Sequence, residues 1–150
     1  MDPSLDTLLQ RWVQQLTRHG QRSKAERWVR EAQQHFQRQL HLASPQETRV
    51  ALQRALETLR PTLEVRRVRV GGTTHLVPAP LAPSRQMGVA LRWLRDGARQ
   101  RRKGTARPFA QCLALELVEA YHHRGHALQR KLALHRQAEA NRAFSHYRWW

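Results

Sequence analysis

Apolar residues in the first sixty positions recur at helical spacing. Leu5, Leu8, Leu9, Trp12, Val13 and Leu16 lie on one face, and Gly20 stands where a helix C-terminus is expected. A second stripe runs through Ala25, Trp28, Val29, Ala32, Phe36 and Leu40, with Ser23 as its N-cap and Glu26 as capping-box partner. Ser44, Pro45 and Glu47 open a third helix carrying Leu52, Ala55, Leu56 and Leu59, and Pro61 stops it. The period then changes. Residues 63 to 70 and 73 to 77 are rich in β-branched side chains and are joined by Gly71-Gly72, which predicts a β-hairpin. A two-stranded ribbon is marginal by itself, so it is expected to project from a helical body and to seek a partner. Pro78, Pro80 and Pro83 keep the chain extended up to Ser84. Met87, Leu91, Leu94 and Ala98 define a fourth helix ending near Gly104. Ala110, Leu113, Ala114, Leu117, Val118 and Tyr121 define a fifth, the most apolar, closed by Gly125. Leu128, Leu132, His135 and Ala138 give a weaker sixth stripe from about Ala127 to Ala143. The predicted fold is mainly α: a six-helix, bundle-like body with a projecting two-stranded β-hairpin arm between helices three and four. It forms one domain over 1–150, with the body at 1–62 and 84–150 and the arm at 63–78.

Charge changes this picture more than composition does. The chain has 150 residues, 27 Lys+Arg and 11 Asp+Glu, for a formal net charge of +16. Such a balance draws polyanions at long range and bears on partners, not on fold. Its distribution is uneven: residues 1 to 65 sum to +3, residues 66 to 107 to +10, residues 108 to 121 to −2 and residues 122 to 150 to +5. The hairpin and the fourth helix are therefore the expected electrostatic footprint. Arginine supplies 24 of the cations, and its planar fork suits both phosphate and base stacking. A GC-rich genome also raises arginine, but it does not explain the clustering.

Catalytic and metal chemistry find no support. Among the nine histidines, His122, His123 and His126 are adjacent, yet Gly125 breaks their helix and no cysteine or carboxylate completes a tetrahedral set. Cys112 reads as a small buried hydrophobe and cannot form a disulfide within the chain. Gly71-Gly72 lies between strands and not ahead of a helix, so it is no phosphate cradle. Glu116 and Glu119 share a helix face and read as solvated. No enzyme, cofactor, metal or small-molecule substrate is expected. Trp12, Trp28 and Trp93 read as core, while Trp149 and Trp150 either dock back or stack on a partner. The acidic opening, Met1 to Asp6, shows neither a signal peptide nor a transit peptide, and no apolar run reaches the ~20 residues of a membrane span. Helix four is basic and amphipathic, but its apolar stripe is needed against helices one and five, so no membrane partner is expected.

Ala138-Glu-Ala-Asn-Arg-Ala-Phe-Ser-His-Tyr-Arg-Trp149 closely resembles the closing signature of the small-subunit ribosomal protein seven family. Residues 20–27 look like that family's first inter-helix turn, residues 63–72 through Val77-Pro78 like its arginine-rich hairpin, and Ala90-Leu-Arg-Trp-Leu94 like its fourth helix. The likeness runs from about Leu8 to Trp150. It implies binding to the 3′ major domain of small-subunit rRNA, organisation of the head, contact with neighbouring ribosomal proteins, and a position facing the E-site tRNA and the mRNA exit path. Arg22, Arg66 and Arg69 match basic family positions that face RNA, Arg130, Lys131 and Arg136 match basic positions, Gly71 and Gly72 match the ribbon tip, and Val65 and Val70 keep its apolar character.

With the charge map, the expected rRNA contacts are Arg18, Arg22, Lys24, Arg66, Arg67, Arg69, Arg85, Arg99, Arg101, Arg102, Lys103, Arg130, Lys131, Arg136, Arg142 and Arg148. The tip residues Val70, Gly71, Gly72 and Thr73 are expected near tRNA and mRNA, with the base of the hairpin structural. The basic arm that bacterial members carry before helix one is missing from Met1-Asp-Pro-Ser. The Trp149-Trp150 ending and residues 77–81 look mitochondrial, which favours a mitochondrial ribosome in the matrix, with the bacterial cytoplasm or a plastid as the alternative. The rival reading is a helical, sequence-specific DNA-binding regulator with helix two, opening Lys24-Ala-Glu-Arg27, as its recognition helix; it leaves the hairpin and the Trp pair without a role.

Overall fold

The computed structural model describes residues 5–150. Met1–Ser4, the stretch read as lacking a basic arm, lies outside the described residues. Six helices form the body: α1 (Leu5–Leu16), α2 (Arg22–Gln39), α3 (Pro45–Leu59), α4 (Pro83–Arg102), α5 (Phe109–Tyr121) and α6 (His126–Ala140). Strands β1 (Leu63–Val70) and β2 (Thr73–Pro80) form an antiparallel ribbon between α3 and α4, in the register Val70↔Thr73 to Leu63↔Pro80. A short 3₁₀ helix, Arg142–Tyr147, follows α6 and was not legible in the hydrophobic pattern. Among the described residues no helix is long and apolar enough to cross a membrane.

Helix α5 is the hub of the body. It packs on α2, α3, α4 and α6, which explains why apolar residues surround it: Phe109, Ala110, Cys112, Leu113, Ala114, Leu117 and Ala120 are all buried. Trp12, Phe36, Leu56, Leu91 and Leu94 reach the same core from the surrounding helices. Cys112 is fully buried, as its apolar register implied. Trp12 is fully buried too, whereas Trp28 and Trp93 are half-buried against the core, more open than expected.

The helix boundaries follow local chemistry. Ser44 caps α3 by accepting from the Glu47 amide at 3.1 Å, and the Glu47 carboxylate accepts from the Ala43 amide at 3.0 Å. The expected Ser23 cap of α2 is not there. The helix starts two residues earlier, Gln21 holds the N-cap position without a side-chain bond, and Glu26 instead pairs with Arg22 at 2.9 Å across one turn. Helix α1 ends at Leu16, so Gly20 is not its C-terminal cap but a member of the following turn, at φ 72°. Helix α4 begins at Pro83, not after it, because proline is compatible with a first helical turn.

Gly71 and Gly72, at φ 57° and 84°, supply the paired left-handed conformations that a two-residue hairpin needs. The strands extend to Pro80, past the expected end at residue 78. Pro78 and Pro80 fit because a two-stranded ribbon has a free outer edge where their missing N–H groups are not needed. The arm projects only at its tip. At its base Val77, Ala79 and Leu81 are buried, and the ribbon packs on α6 and the 3₁₀ helix. His75 stacks on Tyr147 at 5.0 Å and lies 4.8 Å from Phe144, while the Arg66 guanidinium sits 4.8 Å over the Trp150 ring. The expected α6 stripe is only partly observed: Ala127 and Ala138 are buried, but Leu132 is 45% exposed. α6 lies at the edge of the body, where the Lys131 stem covers the seam and its ammonium donates to the Thr58 carbonyl at 2.7 Å.

Two glycines of α4 separate local from tertiary effects. A Cβ at Gly88 would meet nothing within 4 Å, whereas at Gly97 it would lie 2.8 Å from Cδ of Glu116. Gly88→Ala therefore stabilises the protein by about 0.5–1 kcal/mol, and Gly97→Ala destabilises it by about 1–3 kcal/mol, as read by urea denaturation. Shifts of the same sign would contradict this packing.

His135 adds a pH dependence. Its Nε2 accepts from the Thr62 amide at 3.3 Å, and burial, aided by the Lys131 charge, lowers its pKa. Folded His135 thus binds a proton less readily than the unfolded chain. Its contribution is present above the ordinary pKa of about 6.5 and fades as pH falls through the lower folded value. Between about pH 7.5 and 5, the wild-type melting temperature should drop more than that of His135→Gln; equal drops would remove the contribution.

Candidate nucleic-acid interface

The cations differ sharply in what already holds them. Arg18, Arg67, Arg69, Arg102, Lys103, Arg130, Arg136, Arg142 and Arg148 are exposed, and none forms an ion pair with a carboxylate among the described residues. Others are engaged within the protein. Arg22 pairs with Glu26, and both Arg66, at 2.7 Å, and Arg85, at 3.2 Å, pair with Glu64. Lys24 lies over the Trp28 ring at 5.2 Å. Burial lowers the Lys131 pKa, with nearby Glu57 opposing the shift.

The unpaired cations gather most densely where α1, α4 and the start of α5 meet. Leu16, Arg18, Trp28, Arg99, Arg102, Lys103 and Phe109 line an open cleft of about 390 Å³. Trp28 and Phe109 meet edge to face in it, with centroids 5.0 Å apart. Burial lowers the Arg99 pKa, and the charges of Arg95 and Arg18 add to the effect. Among the described residues Asp96 alone answers this crowding, accepting a hydrogen bond from Arg95 at 2.9 Å and forming an ion pair with Arg99 at 3.7 Å. Cations pressed together around a partly apolar wall are arranged to take an anion, while the aromatic pair offers packing to whatever carries it.

The other expected contacts are spread along two further faces. Arg67 and Arg69 line the outer half of the ribbon below the exposed tip, Val70 to Thr73. Arg142 and Arg148 border a groove of about 550 Å³ between the ribbon base and α6, and Arg130 lies beside Trp93 in a neighbouring groove. Trp149 is 81% exposed, whereas Trp150 meets both Trp149 and Arg66. Arg95, Trp28 and Phe109 were not among the expected contacts. Trp28 sits in an apolar register that looks like pure core, and only the tertiary meeting of α2 with α5 shows that part of its ring stays open.

Arg101 departs most from expectation. Its Nε donates to Glu116 Oε2 at 2.7 Å, and a second nitrogen pairs with Glu119. Glu116 is fully buried and Glu119 half-buried, so this is not the solvated acidic face read from the spacing. The hub position of α5 leaves no solvent at Glu116 and little at Glu119, and α4 brings the neutralising cation. Burial opposes Arg101's charge, but the hydrogen bonds and charges of the two glutamates outweigh it and raise the pKa.

Among the described residues, no three His, Cys, Asp or Glu side chains group as a metal-binding set. The family model described as ribosomal protein S7p/S5e matches residues 2–142 of the chain. The chain belongs to this family. Its members are structural components of the ribosome and not enzymes. A small ribosomal subunit protein uS7 from Sulfurihydrogenibium sp. is 40% identical over 144 residues, spanning 96% of this chain and 88% of the relative. Another, from Alkalilimnicola ehrlichii, is 42% identical over 142 residues, spanning 95% and 86%. A small ribosomal subunit protein uS7m from Marchantia polymorpha is 46% identical over 100 residues, spanning 66% of this chain and 44% of the relative. The helical body with its ribbon between α3 and α4 is the architecture that the family resemblance implied.

Proposed function

We propose that residues 1–150 act as one rRNA-binding domain of the small ribosomal subunit, seated on the 3′ major domain, organising the head beside neighbouring ribosomal proteins. The observation that carries this reading is the cationic cleft of Arg18, Arg99, Arg102 and Lys103 beside the Trp28–Phe109 pair. Arg67 and Arg69 on the ribbon, and Arg130, Arg136, Arg142 and Arg148 around α6, extend the footprint. Arg22, Lys24, Arg66, Arg85 and Lys131 serve it from within, holding the surface in shape through their protein partners. Phosphate contacts supply most of the affinity through counterion release. Specificity comes from RNA shape, since the A-form major groove is too deep and narrow for side chains to read. The tip, Val70 to Thr73, faces E-site tRNA and the mRNA exit path, where a projecting turn on a buried base can reach a ligand without deforming the body.

The compartment we favour is the mitochondrial matrix, supported by the Trp149-Trp150 pair and the uS7m relative. The bacterial cytoplasm is the second reading, supported by the bacterial relatives that span most of the chain. Cosedimentation with mitochondrial or with cytoplasmic small subunits decides between them.

The binding test is a salt titration of the purified chain on a transcript of the small-subunit 3′ domain, in competition with duplex DNA of equal length. The expected result is a preference for the transcript of at least about a thousandfold at physiological salt. Equal binding with equal salt slopes would reduce the protein to a nonspecific polycation, and a preference for one DNA sequence would restore the regulator reading.

A further inference from the structure

Glu116 is buried completely, and both of its carboxylate oxygens accept hydrogen bonds. Oε2 accepts from Arg101 Nε at 2.7 Å, and Oε1 accepts from the Ala127 amide, in the first turn of α6, at 2.8 Å. A Cβ at Gly97 would lie 2.8 Å from Glu116 Cδ, and one at Gly125 would lie 3.0 Å from Oε1 of Glu116 and from Oε2 of Glu119. The two glycines make room for the carboxylates, and Gly125, at φ 99°, also turns the chain into α6. One residue beyond Arg101 lies Arg102, at the rim of the cationic cleft, and four beyond Ala127 lies Lys131.

We propose that Glu116 is a specificity-determining positioning residue for RNA binding: it withholds Arg101 from RNA phosphate and fixes the cationic end of α4 against the start of α6. The inference rests on the rRNA reading above. Affinity from phosphate contacts is blind to sequence and shape, so every loose cation raises binding to any nucleic acid. Selectivity instead needs charges held at fixed separations, so that only one folded backbone meets them together. Arg101 lies in the densest basic stretch and faces inward to two carboxylates. The same bonds anchor the last turn of α4, whose final residue Arg102 is exposed, as is Lys103 just beyond it. Thr105 continues the anchoring, its hydroxyl donating to the Arg101 carbonyl at 3.1 Å.

The test compares the salt-dependent binding of three full-length proteins to the 3′-domain transcript and to duplex DNA of equal length. They are the wild type, Glu116→Gln with Glu119→Gln, and that pair with Arg101→Gln added. Releasing Arg101 adds one phosphate-binding cation, so the carboxamide pair should steepen the log–log salt slope on duplex DNA by about 0.9 and narrow the preference for the transcript. Adding Arg101→Gln should bring the slope back to the wild-type value. A carboxamide pair with a lower melting temperature but an unchanged slope and preference would overturn the proposal, because a purely structural node behaves that way. Dicarbonyl modification of wild-type arginines, mapped by peptide mass, needs no variant. Arg101 should react slowly with or without transcript, while Arg102 should react fast and become protected; Arg101 behaving like Arg102 would also overturn the proposal. A wild type that prefers neither probe would instead refute the rRNA reading, while the slopes on duplex DNA still report on the withheld cation.

Discussion

Replacing Arg18, Arg102 and Lys103 together by glutamine is expected to flatten the log–log salt dependence of binding to the 3′-domain transcript by about 2–3, as three phosphate contacts stop releasing counterions. The loss of affinity at low salt should be at least about a hundredfold, from at least ~1 kcal/mol for each charge-assisted contact. The three side chains are exposed and pair with no carboxylate among the described residues, so the fold keeps its stability. Arg27 and Arg49 are the matched controls. Both are exposed, pair with Glu31 at 3.9 Å and with Asp6 at 3.0 Å, and neither lines the cleft. Replacing these two by glutamine should change the slope little. If both sets flatten it in proportion to the charge removed, total charge and not the cleft governs binding.

Glu116→Ala should be among the most damaging single substitutions in the molecule, costing about 3–5 kcal/mol. It leaves a half-buried guanidinium with Glu119 as its only carboxylate among the described residues, leaves the Ala127 amide without its acceptor and opens a void at the hub. Glu31→Ala, which breaks only the exposed 3.9 Å pair with Arg27, should cost within about 0.5 kcal/mol. Chemical denaturation of the two variants beside the wild type checks both. Equal costs would mean that the buried node does not hold α4, α5 and α6 together.

Those glutamates mark where reading the sequence falls short. Spacing placed Glu116 and Glu119 on one face of a helix, but whether that face meets water depends on what packs there. A signal existed: α5 is the most apolar helix, so a carboxylate in its middle is burdened by burial from every side. Gly97 and Gly125, small residues at the same node, fit that reading too. The inward bonds of Arg101 were illegible for the complementary reason. In a run of arginines each looks equally exposed, and only the helix phase turns one of them inward. By contrast, the Ser44–Glu47 cap and the Gly71-Gly72 turn were legible, because both are settled by bonds and dihedrals within a few residues. The helical stripes of α1 to α5 were legible for a related reason, since each element buries the face its own period defines. The α6 stripe was legible only in part and the 3₁₀ helix not at all, because their packing partners, the ribbon for both and α4 also for α6, are distant in sequence.

That distant packing has a consequence for the order of events during synthesis. The ribbon leaves the translating ribosome before α4, α5 and α6, whereas Phe144, Tyr147 and Trp150, which grip its His75 and Arg66, are made afterwards. At about 5–20 residues per second, a nascent arm spends several seconds without its clasp. During that interval it is a bare two-stranded hairpin, marginal in water. The arm therefore acquires its fixed bearing only once the aromatic segment has been made, so a chain interrupted before Phe144 carries the basic ribbon without the means to aim it.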